Sequence, residues 1–176
     1  MSSSSSNHAA SALQFQNNLF RNYATSCRII YIMYDLLLKQ IESIIDKDIA
    51  LVSNLANVAS ILYTMDDVNW AGFYLLDKDR LVLGPFQGEV ACTIIPLNKG
   101  VCGAAASKKE TIIVDDVNTF KGHIACSNKS KSEIVVPILK GNQLIGVIDI
   151  DSPIYSRFTS VEKEFLETVS SLIAAL

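Results

Sequence analysis

The sequence predicts an α+β domain in which a central antiparallel β-sheet carries helices packed on it. Apolar residues recur at helical spacing near both ends of the chain, and short polar turns join apolar, strand-like segments in its middle. Short links between neighbouring strands favour antiparallel pairing, because parallel strands need a long crossover. The chain has 176 residues, of which 49% are hydrophobic, and this is enough for one buried core.

The N-terminal segment differs in composition from the rest of the chain. The first 34 residues contain seven serines, two arginines and no acidic residue. We predict an N-terminal extension over residues 1–32, disordered or targeting, followed by a folded domain over residues 33–176. A transit peptide, a disordered tail and a domain that starts at Met33 remain open. A transit peptide would place the protein in an organelle, and otherwise we expect it to be cytoplasmic.

Two amphipathic helices are expected before the first strand. The first has apolar residues at helical spacing from Leu37 to Ile45. Apolar and aromatic segments then predict strands at residues 69–76, 81–86 and 89–95, with Pro96 ending the third. The predicted apolar face of the second helix consists of Val52, Leu55, Ala56, Ala59, Leu62 and Tyr63.

The second half of the chain is expected to add a helix, a hairpin and a last helix. The segment KGVCGAAASKKE predicts a short helix, TIIV a strand, and residues 115–132 a long polar loop. The segments EIVVPIL and LIGVIDID then read as a hairpin. Thr159 and Glu162 have the spacing of a capping box that opens the last helix.

The apolar pattern fixes the register of this hairpin. One register buries one face of the hairpin and places Glu133 opposite Asp151 and Val135 opposite Asp149 on the other face. It leaves a three-residue loop at residues 141–143. A shift by one residue would instead place an apolar side chain opposite a charge. The buried pairs are Ile134 with Ile150, Val136 with Ile148 and Ile138 with Gly146.

Three carboxylates therefore converge on one side of the predicted sheet. Asp149 and Asp151 are two residues apart, so any extended strand points both the same way, and the register adds Glu133. A solvated sheet face is the simpler interpretation. A functional site is favoured because Cys126 lies only seven residues before Glu133. Clustered carboxylates attract an ammonium group, or raise the pKa of one carboxyl group until it can donate a proton near neutral pH.

Three cysteines are candidate reactive groups. Cys92 alternates with apolar residues and fits a buried hydrophobe as well as a reactive thiol. Cys102 lies in the first turn of a predicted helix, where the helix dipole would lower its pKa, so physical chemistry alone favours it as the most reactive thiol. Cys126 lies in the polar loop near His123 and two lysines. No pair has the spacing of a zinc site, so no metal is predicted.

Six segments together resemble the free methionine-(R)-sulfoxide reductases, which are built on a GAF domain. They are NWAGFYLL, LVLGPFQGEVAC, NKGVCGAAAS, GHIAC, KSEIVVPI and GVIDIDS, and they cover roughly residues 34–176 in the order of that family. This chain has LNKGVCG where the family often has FGKGVCG. The resemblance implies a GAF-like fold, no bound cofactor and a homodimer.

The resemblance also implies a reaction at sulfur. Cys126 would attack the sulfoxide, Cys92 would resolve the resulting sulfenic acid as a disulfide, and Cys102 is an alternative or auxiliary partner. Thioredoxin would then reduce the disulfide. This assignment of the attacking thiol overrides the preference for Cys102 that the helix dipole suggests.

The expected substrate is free methionine sulfoxide. In the resemblance, Glu133, Asp149 and Asp151 hold the charged ammonium group, which a peptide lacks, and one of them protonates the sulfoxide oxygen. Trp70 would contact the substrate's methyl group; simple core packing is the alternative interpretation of this tryptophan.

Charge and hydropathy exclude other classes of partner. The net charge is −3, the pI is near 5.3, and basic residues are not clustered, so we expect no nucleic acid or anionic membrane. Two non-enzymatic readings remain. A GAF sensor for a small molecule is disfavoured because three carboxylates would repel a phosphate, and a thiol redox switch is disfavoured because no second output domain is evident.

Overall fold

The computed structural model describes residues 28–122 and 129–176, so the predicted roles of Cys27, His123 and Cys126 lie outside the described residues. The chain divides into two compact units, Met1–Leu36 and Leu37–Leu176. In the first unit, residues 28–36 are helical. The predicted boundary at Met33 stays a prediction. Among the described residues, we find no helix of sufficient length and apolar character to span a bilayer.

Four helices and six strands make up the described residues, in the order that the sequence predicts. Within the second unit, helix α1 occupies residues 37–44. The elements that follow are α2 (Leu51–Leu62), β1 (Trp70–Asp77), β2 (Arg80–Gly88), β3 (Ile94–Pro96), α3 (Gly100–Lys108), β4 (Ile112–Val114), a 3-10 turn (Val117–Thr119), β5 (Ser132–Lys140), β6 (Gln143–Ser152) and α4 (Ser160–Ala174).

The strands form one six-stranded sheet in the order β3-β2-β1-β6-β5-β4, and every neighbouring pair is antiparallel. Helices α2 and α4 pack against β1, β2 and β5, while α3 packs against β5 and β6. The predicted α+β fold class, with helices on a central antiparallel sheet, is confirmed. Both faces of the sheet are covered, which is why β5 is buried along almost its whole length.

The predicted register of the β5–β6 hairpin is confirmed. Glu133 pairs with Asp151 and Val135 with Asp149. The predicted three-residue loop is wrong, because a bulge after Ile138 shifts the pairing by one residue. The loop therefore has two residues, and Gly141 adopts the positive φ of 61° that such a tight turn requires.

Two other details of the prediction are wrong. The strand predicted at residues 89–95 is confined to β3, which pairs only with Arg80–Val82 at the edge of the sheet. An edge strand tolerates Pro96, because no further strand needs the missing N–H. Of the predicted apolar face of α2, Val52, Ala56 and Tyr63 are exposed, whereas Val58 is buried, so the buried face is rotated from the predicted one.

The capping box of α4 is present as predicted. The backbone N–H and the hydroxyl of Thr159 donate to Glu162 at 2.8 and 2.6 Å, and Thr159 Oγ1 accepts from the N–H of Val161 at 3.2 Å. Arg157 pairs with the buried Glu162 at 3.0 Å. These contacts fix the start of α4, whose buried residues cover β5 on the face opposite α3.

Candidate active site

The carboxylates and one thiol meet on the sheet face that α3 covers. Asp151 of β6 pairs with Trp70 of β1 on one side and with Glu133 of β5 on the other. Asp149 of β6 pairs in the same way with Gly72 and Val135. Since side chains alternate across a strand, all of these residues face the same side. The predicted convergence of the three carboxylates therefore follows from the confirmed register.

Cys102 contributes the thiol of this cluster from α3. Its Sγ lies 4.0 Å from Glu133 Oε1, and one donor atom from each of Cys102, Glu133 and Asp149 lies within 4.8 Å of the other two. All three residues are buried. The interpretation of the carboxylates as a solvated sheet face is therefore wrong for Glu133 and Asp149. Asp151 is half-buried.

Burial is the largest cause of the raised pKa values of the three carboxyl groups in this cluster. It raises the pKa of Glu133 well above its ordinary value, and the charges of Asp149 and Asp151 raise that pKa further. Burial also raises the pKa of Asp149, to about 6, although hydrogen bonds from Cys102 and Glu133 oppose the increase. For Asp151, burial and the charge of Asp149 raise the pKa, against a hydrogen bond from Ser130. The cluster therefore retains protons at pH values where free carboxylic acids are ionised.

The expectation that the helix dipole activates Cys102 is wrong. Burial raises the pKa of this thiol well above its ordinary value, and the charges of Asp149 and Glu133 add to the effect. A dipole at the start of α3 cannot compensate for desolvation together with two neighbouring carboxylates. Cys102 is a free cysteine held mainly as the thiol, which is a poor nucleophile.

Cys92 lies in the segment before β3 rather than inside a strand. It is half-buried against the core cluster that contains Cys102. It is disulfide-bonded. The Tyr74 hydroxyl donates to the backbone carbonyl of Cys92 at 3.0 Å and so holds this segment against the sheet. Val90, two residues earlier, is exposed, which leaves the segment accessible from solvent.

Trp70 forms the aromatic wall of the site. It is buried, its Nε1 donates to the carbonyl of Glu89 at 3.1 Å, and its ring stacks on Phe86 with centroids 5.3 Å apart. A Cβ at Gly72 would come within 2.4 Å of Phe86 Cβ and 2.7 Å of the Trp70 ring, so this position needs glycine for the stack to form.

A pocket of about 380 Å³ opens at the edge of the site. Trp70 and Glu89 belong to its lining, and Lys129 forms an ion pair with Glu89 there. A second pocket, of about 440 Å³, lies between β5 and α4 and contains none of the predicted site residues. The full lining of the first pocket is Tyr63, Asn69, Trp70, Gln87, Gly88, Glu89 and Lys129.

Three residues of this site were not predicted from the sequence. Tyr74 is buried on the same face as Trp70, and Phe86 stacks on Trp70 from β2. Ser130 hydrogen-bonds Asp151 and accepts from Asn69 at 3.3 Å. Tyr74 could have been found from its even spacing from Trp70 along the strand. The other two lie near the site only through tertiary structure.

Replacing Asp149 with asparagine is expected to increase stability at pH 7 and to flatten its dependence on pH. The pKa of Asp149 in the folded protein, about 6, lies above its ordinary value of 3.8. The folded state therefore binds more protons than the unfolded state between these values. The free energy of unfolding of the natural protein should then fall as the pH rises from about 4 through about 6. Asparagine cannot ionise and removes the contribution of Asp149 to this loss.

Urea denaturation at pH 4, 5, 6 and 7 measures this effect. The matched control is Asp77→Asn, which removes an exposed carboxylate of β1 that pairs with Arg80. This control should keep the pH profile of the natural protein. An Asp149→Asn profile that falls as steeply as that of the natural protein would contradict the prediction.

The profile of the GAF domain family matches residues 40–176. Over 161 residues, covering 86% of this chain and 89% of the relative, the sequence is 47% identical to the free methionine-R-sulfoxide reductase of Saccharomyces cerevisiae. It is 51% identical over 116 residues to the free methionine-R-sulfoxide reductase of Escherichia coli, covering 65% of this chain and 70% of that protein.

The fold of this chain is also similar to that of a solved structure. The fold resembles that of the free methionine-R-sulfoxide reductase from Neisseria meningitidis, whose X-ray structure contains its substrate. The TM-score is 0.79 at 42% sequence identity, and the similarity covers 82% of this chain and 88% of the other.

Proposed function

This chain belongs to the GAF domain family and, within it, to the free methionine-R-sulfoxide reductases, and from this premise we propose that it reduces free methionine R-sulfoxide to methionine through cysteine chemistry. The observation that carries the proposal is the buried pair of carboxyl groups, Glu133 and Asp149, with the aromatic wall of Trp70 on the same sheet face. Sulfoxide reduction needs a proton for the departing oxygen, and a free amino acid needs an anion for its ammonium group.

The two carboxyl groups have different roles in this proposal. Glu133 supplies the proton, because burial and the charges of its neighbours favour its protonated form near neutral pH. Asp149 has a pKa of about 6 and is largely ionised at pH 7. It therefore holds the substrate's ammonium group, with Asp151 beside it on the same strand. A methionine sulfoxide residue within a peptide has no such ammonium group and is not expected to bind.

Cys126 is the attacking residue in this proposal, and the described ends of its loop support the assignment. Gly100, the first residue of α3, donates its N–H to the carbonyl of Gly122 at 3.1 Å. At the other end, Lys129 pairs with Glu89. Chain geometry limits the Cα of Cys126 to about 14 Å from that of Gly122 and about 11 Å from that of Lys129. Both ends of the loop are therefore fixed beside the site.

The proposed reaction has three steps. The Cys126 thiolate attacks the sulfoxide sulfur while Glu133 protonates the oxygen, and the products are methionine and a Cys126 sulfenic acid. The Cys92 thiol then attacks the sulfenic sulfur, which forms a disulfide and releases water. A dithiol donor of the thioredoxin class returns both cysteines to thiols and leaves with its own disulfide. The disulfide at Cys92 and the exposure of Val90 beside it support a resolving role and access for this donor.

Trp70 forms the wall for the substrate's methyl group. Its ring is fixed by the stack on Phe86 and by the hydrogen bond to the Glu89 carbonyl. A flat, apolar ring held on two sides favours a small methyl group over a polar one. Cys102 is the alternative resolving thiol, because it is a free cysteine in the same cluster.

Incubation of the protein with free methionine R-sulfoxide and dithiothreitol tests the proposed activity. Chromatography should detect methionine from the R epimer. It should detect none from the S epimer or from N-acetylmethionine R-sulfoxide, which lacks the ammonium group. A folded protein that forms no methionine from the free R epimer would rule out the reductase and favour a non-catalytic GAF sensor or a thiol switch.

A further inference from the structure

Three side chains of the site have the composition of a metal site. Cys102 from α3, Glu133 from β5 and Asp149 from β6 offer one sulfur and two carboxylate oxygens, all within 4.8 Å of one another. The three residues are only 3%, 6% and 7% exposed. We propose that the reduced protein binds one divalent transition-metal ion, preferably Zn²⁺, on these three side chains, and that the bound ion excludes the substrate.

A buried oxygen of Asp149 that lacks a hydrogen bond among the described residues is the second observation that points to a cation. Asp149 Oδ1 is buried and accepts no hydrogen bond from the described residues. Buried carboxylate oxygens are ordinarily hydrogen-bonded or bound to a metal, because desolvation without a partner is unfavourable. A cation between Asp149 and its two neighbours would supply that partner and offset the repulsion among three acidic groups.

The donor set selects the kind of ion. Zn²⁺ binds thiolate sulfur at about 2.3 Å and carboxylate oxygen at about 2.0–2.2 Å, so its ligand atoms lie roughly 3.5 Å apart in a tetrahedron. The side chains would need to approach by about an ångström, within the reach of small rotamer adjustments. Ca²⁺ and Mg²⁺ are disfavoured because they require six or more oxygen ligands and do not favour sulfur. Three protein ligands leave a fourth position for water.

The sequence contains no metal motif at these residues. Cys102 and Glu133 are 31 residues apart, and each ligand comes from a different element. Short ligand spacings, by which zinc sites are recognised in sequences, cannot reveal a site that only the sheet and α3 bring together. The absence of such spacings is therefore no argument against this site.

Competition between metal and substrate rests on the proposed function, whereas metal binding does not. Glu133 and Asp149 would serve as the proton donor and the ammonium ligand for methionine sulfoxide. An ion bound to both occupies the same oxygens. Zn²⁺ should therefore raise the apparent KM for the sulfoxide and leave kcat unchanged once the substrate is saturating.

Binding is measured on the full chain without substrate. The protein is reduced, freed of the reductant under argon, and titrated with Zn²⁺ by calorimetry and with Co²⁺ by absorption. We expect one ion per chain, with a sulfur-to-cobalt charge-transfer band. Cys102→Ser and Asp149→Asn should each weaken binding at least tenfold. The matched controls, Cys92→Ser for the thiol and Asp77→Asn for the carboxylate, should bind as the natural protein does.

Each contrary outcome has a definite meaning. Unchanged zinc affinity in Cys102→Ser, or loss of binding in Cys92→Ser, would overturn the proposed site, because the ion would then be held by other thiols. A natural protein that reduces the sulfoxide but binds no Zn²⁺ would overturn the metal site and leave the proposed function intact. A protein that binds Zn²⁺ through Cys102 but reduces no sulfoxide would overturn the proposed function and leave the metal site intact.

Discussion

Replacing Cys126 with serine is expected to abolish methionine formation, with a loss of at least about a thousandfold, because the variant lacks the sulfur that attacks the sulfoxide. A serine hydroxyl is not ionised at neutral pH and cannot accept oxygen to form a sulfenic acid. Quenched single-turnover experiments on the reduced protein, with methionine separated by chromatography, measure this loss directly. The variant should produce no methionine even in the first turnover.

The matched variant is Cys92→Ser, which removes the proposed resolving thiol. It should release about one methionine per chain in the first turnover, because the attack at Cys126 does not require Cys92. Later turnovers supported by thioredoxin should be slow, since no disulfide with Cys92 can form. Near-natural activity in both variants would show that the assignment is wrong.

Cys102→Ser is the third cysteine variant to compare. We expect a smaller effect from it than from Cys126→Ser, because burial and the neighbouring carboxylates raise the pKa of the Cys102 thiol and keep it protonated. If Cys102→Ser abolished the first turnover and Cys126→Ser did not, the roles of these two cysteines would have to be exchanged.

Replacing Asp149 with asparagine is expected to lower kcat/KM about a hundredfold, which is the order that a positioned charge or proton-transfer group contributes. The variant loses the anion that holds the ammonium group. It also loses one of the two neighbouring charges that add to the effect of burial in raising the pKa of Glu133. Loss of substrate binding alone would raise KM, and loss of the proton donor would lower kcat. Initial rates over a range of sulfoxide concentrations separate the two effects.

Unfolding would not explain such a loss, since the same variant is expected to be more stable than the natural protein at pH 7. Asp77→Asn is again the control: this aspartate lies on β1 like Trp70, but at the exposed end of the strand. It should leave kcat/KM unchanged. If Asp149→Asn retained natural kcat/KM, Asp149 would be excluded from the site.

The strands and their register could be predicted from the sequence because they depend on local, periodic features. In β5 and β6, apolar residues alternate with carboxylates so regularly that a shift by one residue would pair Ile134 with Asp149, and the structure has the predicted pairing. The capping box at Thr159 is equally local. Predictions failed where contacts between residues distant in sequence decide the outcome. β3 pairs with only three residues of β2, and the contacts of α2 with β1 and β2 determine which face of this helix is buried.

The reactivity of Cys102 likewise depends on contacts with residues distant in sequence. Its place in the first turn of α3 is local and was predicted, and from that place alone the dipole argument gave a lowered pKa. The thiol in fact lies 4.0 Å from a carboxylate that is 31 residues away in sequence, and both groups are buried. Desolvation and repulsion are set by every element that surrounds a group, so the sign of this pKa shift depended on the fold.

The sequence by itself determined the α+β class, the order of the elements, the hairpin register and the side of the sheet on which Glu133, Asp149 and Asp151 gather. All of these follow from side-chain periodicity, which acts over a few residues. Only the tertiary structure decided that α3 covers this side and buries the carboxylates with Cys102. It also decided that Tyr74 and Phe86 complete the surroundings of Cys92 and Trp70. Burial and charge coupling act through space between residues distant in sequence, and no local pattern encodes them.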